Sequence, residues 1–334
     1  MPPAAVMLYE QEKTVMKRFG IVGAGIIAAE HKKALMKRSD CIIAAVCDVV
    51  REKAEVIAEG TQARVYTDYH VMCEEVKPDA VIINLPHFLH CEATVYFLEK
   101  KTAVLVEKPM ANTVSECDRM IAASEKNGAP LAVAHLQRFR PSIRALRKIV
   151  AEGRLGALCA VTDVYNCDYF QPTRPAWFLC KEQSGGGITM NYGAHGLDKL
   201  LSVTGGTIES VTAAGNNFIN DRDVEACSQL LVRLSDGASA VMTYCGTKVP
   251  AAENMEFYFA DGYAKLKNAS ELSVSRGTEE PAVVPLPDAA CFEDQLDAFI
   301  RYIDGEESGI PTGIYGREII RGLEQAFGSM DIRR

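Results

Sequence analysis

The sequence predicts an α/β chain: a doubly wound parallel sheet, followed by an α+β domain with a large, open and mostly antiparallel sheet. Short apolar runs alternate with amphipathic stretches up to residue 137, as parallel βαβ units require. Beyond residue 205, strand-like runs follow one another with no helix between them, the pattern of an antiparallel sheet. At 334 residues, 48% hydrophobic and 24% charged, the chain is long enough for two cores.

In the first part the strand candidates are residues 19–22, 41–47, 81–84, 103–106 and 131–134. Helix-like segments 26–37, 50–59, 90–100 and 114–127 lie between them. Thr113, followed three residues later by Glu116, is a capping-box signature for the last of these. The rhythm changes near Arg138, where Pro141 starts a helix over 141–152 that ends at Gly153. After a long loop and one more helix come strand candidates 208–216, 226–234, 238–246, 255–259, 263–267 and 271–274. Asp236-Gly237 and Asp261-Gly262 supply turns among them. Helices over 291–303 and 315–330 close the chain.

Composition narrows the function. The net charge is -8 and no Lys/Arg-rich run appears, which argues against nucleic acid and anionic lipid as partners. No apolar stretch reaches the ~18 residues of a spanning helix. Residues 1–15 lack the apolar core of a signal peptide and are expected to form a poorly ordered extension. Met16 opens MKRFGIVGAG, which reads as a protein start, so Met1 and Met16 stand as alternative starts. The eleven cysteines include no CxxC pair, and an odd count without a secretory signal points to reduced thiols in the cytoplasm. A structural zinc site would need a Cys/His spacing that is absent.

Gly23-Ala24-Gly25-Ile26-Ile27-Ala28 joins the first strand candidate to the first helix. The first glycine permits a tight turn, the second lets backbone approach a pyrophosphate, and Ala28 allows close helix–strand packing. The helix N-terminus favours the anion. Asp48 follows 25 residues after Gly23, near the offset of a ribose-binding carboxylate. It can also cap the helix that follows, and the two roles can coexist. A carboxylate there repels a 2′-phosphate, so NAD is expected over NADP. Residues 16–137 are thus read as an NAD-binding Rossmann domain, and 138–334 as a substrate-binding and oligomerisation domain.

Three further segments extend this reading: Asn84-Leu85-Pro86-His87-Phe88-Leu89-His90, Glu107-Lys108-Pro109, and the run from Gly185-Gly186-Gly187 through Asn191 and His195 to Asp198. With the glycine turn and Arg138-Phe139-Arg140-Pro141, they resemble the Gfo/Idh/MocA oxidoreductases, the family of glucose–fructose oxidoreductase and inositol dehydrogenase. The resemblance implies an NAD-dependent oxidoreductase that moves a hydride between nicotinamide and a secondary alcohol of a sugar, cyclitol or related polyol. It places Gly23, Gly25, Ile26, Ile27, Asp48, Leu85, His90, Glu107 and Lys108 at the cofactor. Arg138, Asn191 and Trp177 are expected at the substrate, and assembly as a homodimer or homotetramer through the C-terminal sheet. Other members are glycoside hydrolases that retain NAD, or dinucleotide-binding regulators without catalysis.

Lys108 and His195 are the expected catalytic pair. A lysine just past the carboxyl end of a central strand, away from bulk water, can hold a lowered pKa and donate to a substrate oxygen. Its plainer alternative is a surface lysine in a loop. Asn191, His195 and Asp198, spaced i, i+4, i+7, would share one face of a helix. Imidazole is the natural acceptor for a hydroxyl proton near neutral pH. Many family members carry Asp where Asn191 stands, and Asn cannot take a proton. The acceptor is therefore His195 or Lys108. His87 and His135 fall near the same strand ends, where packing is an equal alternative. Trp177, with Arg174 and Phe178 in the long loop, can face a sugar's C–H surface or pack the loop.

Overall fold

The computed structural model describes residues 16–219 and 221–333, so the expected extension at 1–15 lies outside the described residues. The first sheet is built from β1 (Lys17–Val22), α1 (Ile26–Met36), β2 (Cys41–Cys47), α2 (Arg51–Ala58), β3 (Arg64–Tyr66), α3 (Tyr69–Val76), β4 (Ala80–Ile83), α4 (His90–Glu99), β5 (Ala103–Glu107), α5 (Val114–Asn127) and β6 (Leu131–Ala134). Its strands run parallel in the order β3-β2-β1-β4-β5-β6. β4 and β6 are buried along their whole length, as a sheet covered on both faces requires. The capping box forms: Thr113 Oγ1 accepts from Glu116 N–H at 3.2 Å, and Glu116 Oε2 accepts from Thr113 N–H at 3.0 Å. β3 and α3 were not expected. A three-residue strand is too short to show a period.

The second part comprises α6 (Pro141–Ala151), β7 (Leu158–Asn166), α7 (Lys181–Ser184), α8 (Ala194–Thr204), β8 (Ile208–Asn216), β9 (Cys227–Leu234), β10 (Ser239–Cys245), β11 (Ala252–Phe259), β12 (Gly262–Lys267), β13 (Glu271–Arg276), β14 (Ala282–Val283), α9 (Cys291–Ile303), α10 (Gly313–Ser329) and β15 (Ile332–Arg333). Nine strands order as β14-β13-β12-β11-β7-β10-β9-β8-β15. The sheet is mostly antiparallel, as expected, with parallel pairs at β7/β10 and β8/β15. β7 is missing from the strand candidates read from the sequence. It is a central strand, hidden because Asp163, a fully buried carboxylate, takes a core-facing position.

The chain-order division at 137/138 also needs amending. α9 returns to the first domain: Phe299 packs edge-on against Phe19 at 6.4 Å within one core. α10 spans both sheets. At its start Thr312 bridges Ala132 of β6, and further along Glu318 and Gln325 accept the N–H groups of Ile208 and Val211 of β8, each at 3.0 Å. The catalytic candidates sit where these layers meet.

Candidate active site

Strand order reverses between β1 and β4, so the carboxyl ends of these strands open a crevice, the usual ligand position in such sheets. Gly23 turns the chain there with φ +90°, and a Cβ on it would lie 2.6 Å from the Asn84 carbonyl oxygen. Only glycine meets both demands. Gly25 precedes α1 in extended conformation, with no side chain capping the helix and open space where a Cβ would point. The first N–H groups of α1 thus face the crevice, beside Ile26, which is 94% exposed.

Asp48 joins the two halves of this cradle. Its carboxylate accepts from Ala24 N–H at 2.8 Å and from Val50 N–H at 2.9 Å. Two of roughly four lone-pair sites remain for a ribose hydroxyl. Both side-chain atoms of Asn84 are buried without a partner at the strand end. An open helix N-terminus, a carboxylate with spare acceptors and an orphaned amide are the groups that a dinucleotide would satisfy.

The loops after β4 and β5 are locked together. The His90 ring, fully buried, lies 2.7 Å from the Leu85 carbonyl and 2.9 Å from that of Pro109. Glu107 ties α1 to the same place, with Oε1 2.9 Å from His31 Nε2 and Oε2 accepting Lys108 N–H at 3.1 Å. Lys108 Nζ then donates to Asn191 Oδ1 at 2.7 Å. Burial lowers the Lys108 pKa to about 8, with Glu107 opposing and Arg174 adding to the shift.

The segment bearing Asn191 and His195 is not one regular helix. Thr189–Gly193 forms a π-turn before α8 begins, a widened turn found often at functional sites. The expected common face is therefore divided. Asn191 meets Lys108, while His195 lines a cavity of about 170 Å³ together with Arg140, Tyr165, Tyr192 and Lys199. Asp198 turns away and accepts from Tyr315 O–H at 2.9 Å. Burial holds the His195 pKa well below the usual value, and Lys108, His135, Lys199 and Arg140 push the same way.

Arg138 is committed within the protein, 3.7 Å from Asp198 and 4.3 Å above the Tyr315 ring. His135 is fully buried with both ring nitrogens unpartnered, and burial with the charges of Arg138 and Lys108 lowers its pKa to about 3. His87 packs edge-on to Trp177 at 4.7 Å, and Trp177 stacks on Phe178 at 3.8 Å, so this half-buried ring folds the long loop over the strand ends. Sequence reasoning missed the far wall of the cavity. There Lys199 is buried between Asp163 and Glu253, and Tyr244 O–H donates to Asp163 at 3.0 Å. It also missed Glu225, whose buried carboxylate accepts Gly187 N–H at 2.9 Å and Thr189 N–H at 2.8 Å and shapes the π-turn.

Known proteins agree with this layout. A profile described as an oxidoreductase family with an NAD-binding Rossmann fold matches residues 17–135, and a GFO/IDH/MocA C-terminal domain matches 143–265. The 1,5-anhydro-D-fructose reductase of Ensifer adhaerens is 26% identical over 305 residues, 89% of this chain and 91% of that protein. The D-glucoside 3-dehydrogenase of Escherichia coli K12 is 34% identical over 219 residues, 64% of this chain and 60% of that one. The crystal structure of an aldose-aldose oxidoreductase from Caulobacter crescentus has the same fold, with TM-score 0.85 and 23% identity over 94% of this chain and 97% of that one. With one profile on each sheet, in the order the sequence resemblance required, the chain belongs to the Gfo/Idh/MocA family of NAD-binding oxidoreductases.

Proposed function

We propose that the chain is an NAD-dependent dehydrogenase of a secondary alcohol on a sugar, cyclitol or related polyol. Lys108 and His195 carry the proton chemistry. One observation supports this most: a half-buried lysine with its pKa lowered to about 8 stands at the crevice, held by Asn191 and close enough to affect the half-buried His195 beside a cavity. NAD, when bound, supplies the hydride acceptor. His195 is neutral at pH 7 and takes the hydroxyl proton. Lys108, protonated below about pH 8, donates to the oxygen as negative charge develops on it. Asn191 cannot take a proton and fixes Lys108 through its amide oxygen. The carbohydrate chemistry named in both curated relatives supports the polyol class. The test is NADH formation by the purified protein across a panel of sugars, inositols and polyols. If no compound yields NADH, the reading fails.

Asp48 is assigned to the adenosine ribose. Wild type should bind NAD more tightly than NADP, and Asp48→Ala should narrow the gap by removing charge repulsion. Calorimetry showing a wild-type preference for NADP would overturn the assignment.

Assembly through the second sheet completes the reading. Its uncovered face carries Val164, Leu231, Val241 and Tyr258, each 38–48% exposed. An apolar patch of this kind marks an interface. The protein should be a dimer or tetramer by light scattering at micromolar concentration, and Val241→Glu should shift it toward monomer. A monomeric wild type would refute this. The free state of all eleven cysteines supports a cytoplasmic location. Among the described residues, no helix is long and apolar enough to cross a membrane.

A further inference from the structure

We propose that the alcohol oxidised at this site belongs to a sugar acid, a monosaccharide-sized polyol whose carboxylate is held by Arg140. This rests on the dehydrogenase reading and narrows its substrate. The cavity beside His195 measures about 170 Å³. Pockets that hold drug-sized ligands measure ~300–1,000 Å³, so this smaller space suits a single sugar ring.

Its charges are unevenly satisfied. On the far wall, Lys199 is 2% exposed and pairs with both Asp163 and Glu253, while Tyr244 closes the remaining oxygen of Asp163. Three arginines lie near the turn into α6. Arg138 pairs with Asp198, and Arg144 with Asp294 at 2.8 Å. Arg140 has neither kind of partner. Its Nε donates to Gln137 Oε1 at 2.6 Å, and among the described residues no carboxylate lies within ion-pair distance of its guanidinium. Yet it lines the cavity, and its charge bears on His195.

A half-buried guanidinium with free N–H groups, aimed at the space where substrate must lie, fits a planar carboxylate in a two-pronged pair. Hydroxyl groups cannot balance that charge. The arrangement also fixes orientation. The carboxylate goes to Arg140, the reacting hydroxyl to His195, and the other hydroxyls to the lining supplied by Gln137, Tyr165, Tyr192 and Glu253.

The test uses the full-length protein saturated with NAD. Binding of glucuronate, galacturonate and gluconate is compared with that of glucose, galactose and glucitol by calorimetry. At least one acid should bind about tenfold or more tightly than its neutral counterpart, since hydrogen bonds to a charged group are the strong ones. Arg140→Gln should weaken that acid by on the order of 10²-fold while leaving NAD affinity unchanged and weakening neutral sugars far less. Arg140→Lys should recover only part, because an ammonium lacks the planar fork. Neutral sugars binding as tightly as the acids, no binding by any acid, or acid binding indifferent to Arg140→Gln would each overturn the proposal. NADH formation from a neutral sugar would then still uphold the dehydrogenase reading. Conversely, Arg140-dependent acid binding with no NADH formed would uphold the carboxylate site and sink the dehydrogenase.

Discussion

Alanine at Lys108 or at His195 is expected to lower kcat by about 10²–10⁴-fold, the range typical of general acid–base catalysis, with little change in NAD affinity. The double variant should lose less than the product of the two, because groups acting on one oxygen are not additive. Asn191→Ala should be milder and appear partly in KM, since Asn191 cannot take a proton and can only position substrate and hold Lys108. Asn191→Asp restores a titratable group beside Lys108 and should be active with an altered pH profile. These comparisons require kcat at saturating NAD. An active His195→Ala enzyme would move the proton acceptor elsewhere, Lys108 first.

The pH profile separates the two assignments. If Lys108 donates to the developing alkoxide, it must be protonated, so alcohol oxidation should decline as pH rises through about 8. If Lys108 is the base, the rate should instead climb through about 8. The same depressed pKa has a consequence for stability. Between about 8 and the ordinary 10.5, the unfolded chain holds the lysine proton and the folded one releases it, so stability rises with pH in that window. Lys108→Met, with no charge to bury, should unfold no lower than wild type at pH 7 while being inactive. Loss of both activity and fold would deny the lysine a specific catalytic role.

Much of the first domain was legible because its sheet is covered on both faces. Strands such as Ala80–Ile83 then read as unbroken apolar runs, and glycine and capping patterns mark the connections. Lys108 was readable for the same reason, lying just past the last residue of a strand. The second domain was less transparent where polar residues enter the core. Asp163 breaks the apolar pattern of β7, and its partner Lys199 looks like a surface residue of α8 until the two meet. The pairing joins positions 36 residues apart, and the bond from Glu253 reaches Lys199 across 54. No local period carries such information. The π-turn at Thr189–Gly193 likewise depends on Glu225, a residue supplied from the start of the strand region beyond β8. Arg138 and Arg140 show the limit of motif reasoning. Both stand in one short run, yet the fold consumes the first and leaves the second facing the cavity.

Replacing Lys199 by Met is expected to destabilise the protein by about 3–5 kcal/mol, the range for removing one partner of a buried ion pair. Lys199 Nζ lies 3.3 Å from Asp163 Oδ1 and is also bonded to Glu253. Burial works against its charge, and the two carboxylates together outweigh that cost, holding its pKa above the ordinary value. Methionine fills the space of the stem but leaves Asp163, itself fully buried, with only the Tyr244 hydroxyl as a donor. The penalty is an uncompensated buried carboxylate, and this gives the effect a pH signature. Burial already raises the Asp163 pKa in the wild type against the pull of Lys199; without Lys199 the shift grows, so the variant's folded state binds the proton still more readily. The deficit should therefore shrink as pH falls from 7 toward 4. Adding Asp163→Asn and Glu253→Gln removes both charges and should recover most of the loss at pH 7. Urea denaturation of the three forms at two pH values measures this directly. A deficit independent of pH and unrelieved by the neutral pair would mean that packing around α8, not the charge, is what Lys199 supplies. Because Lys199 stands one turn beyond His195 and walls the same cavity, the recovered triple variant then tests the wall alone. It should be folded, bind NAD normally, and show its defect in the KM for the polyol.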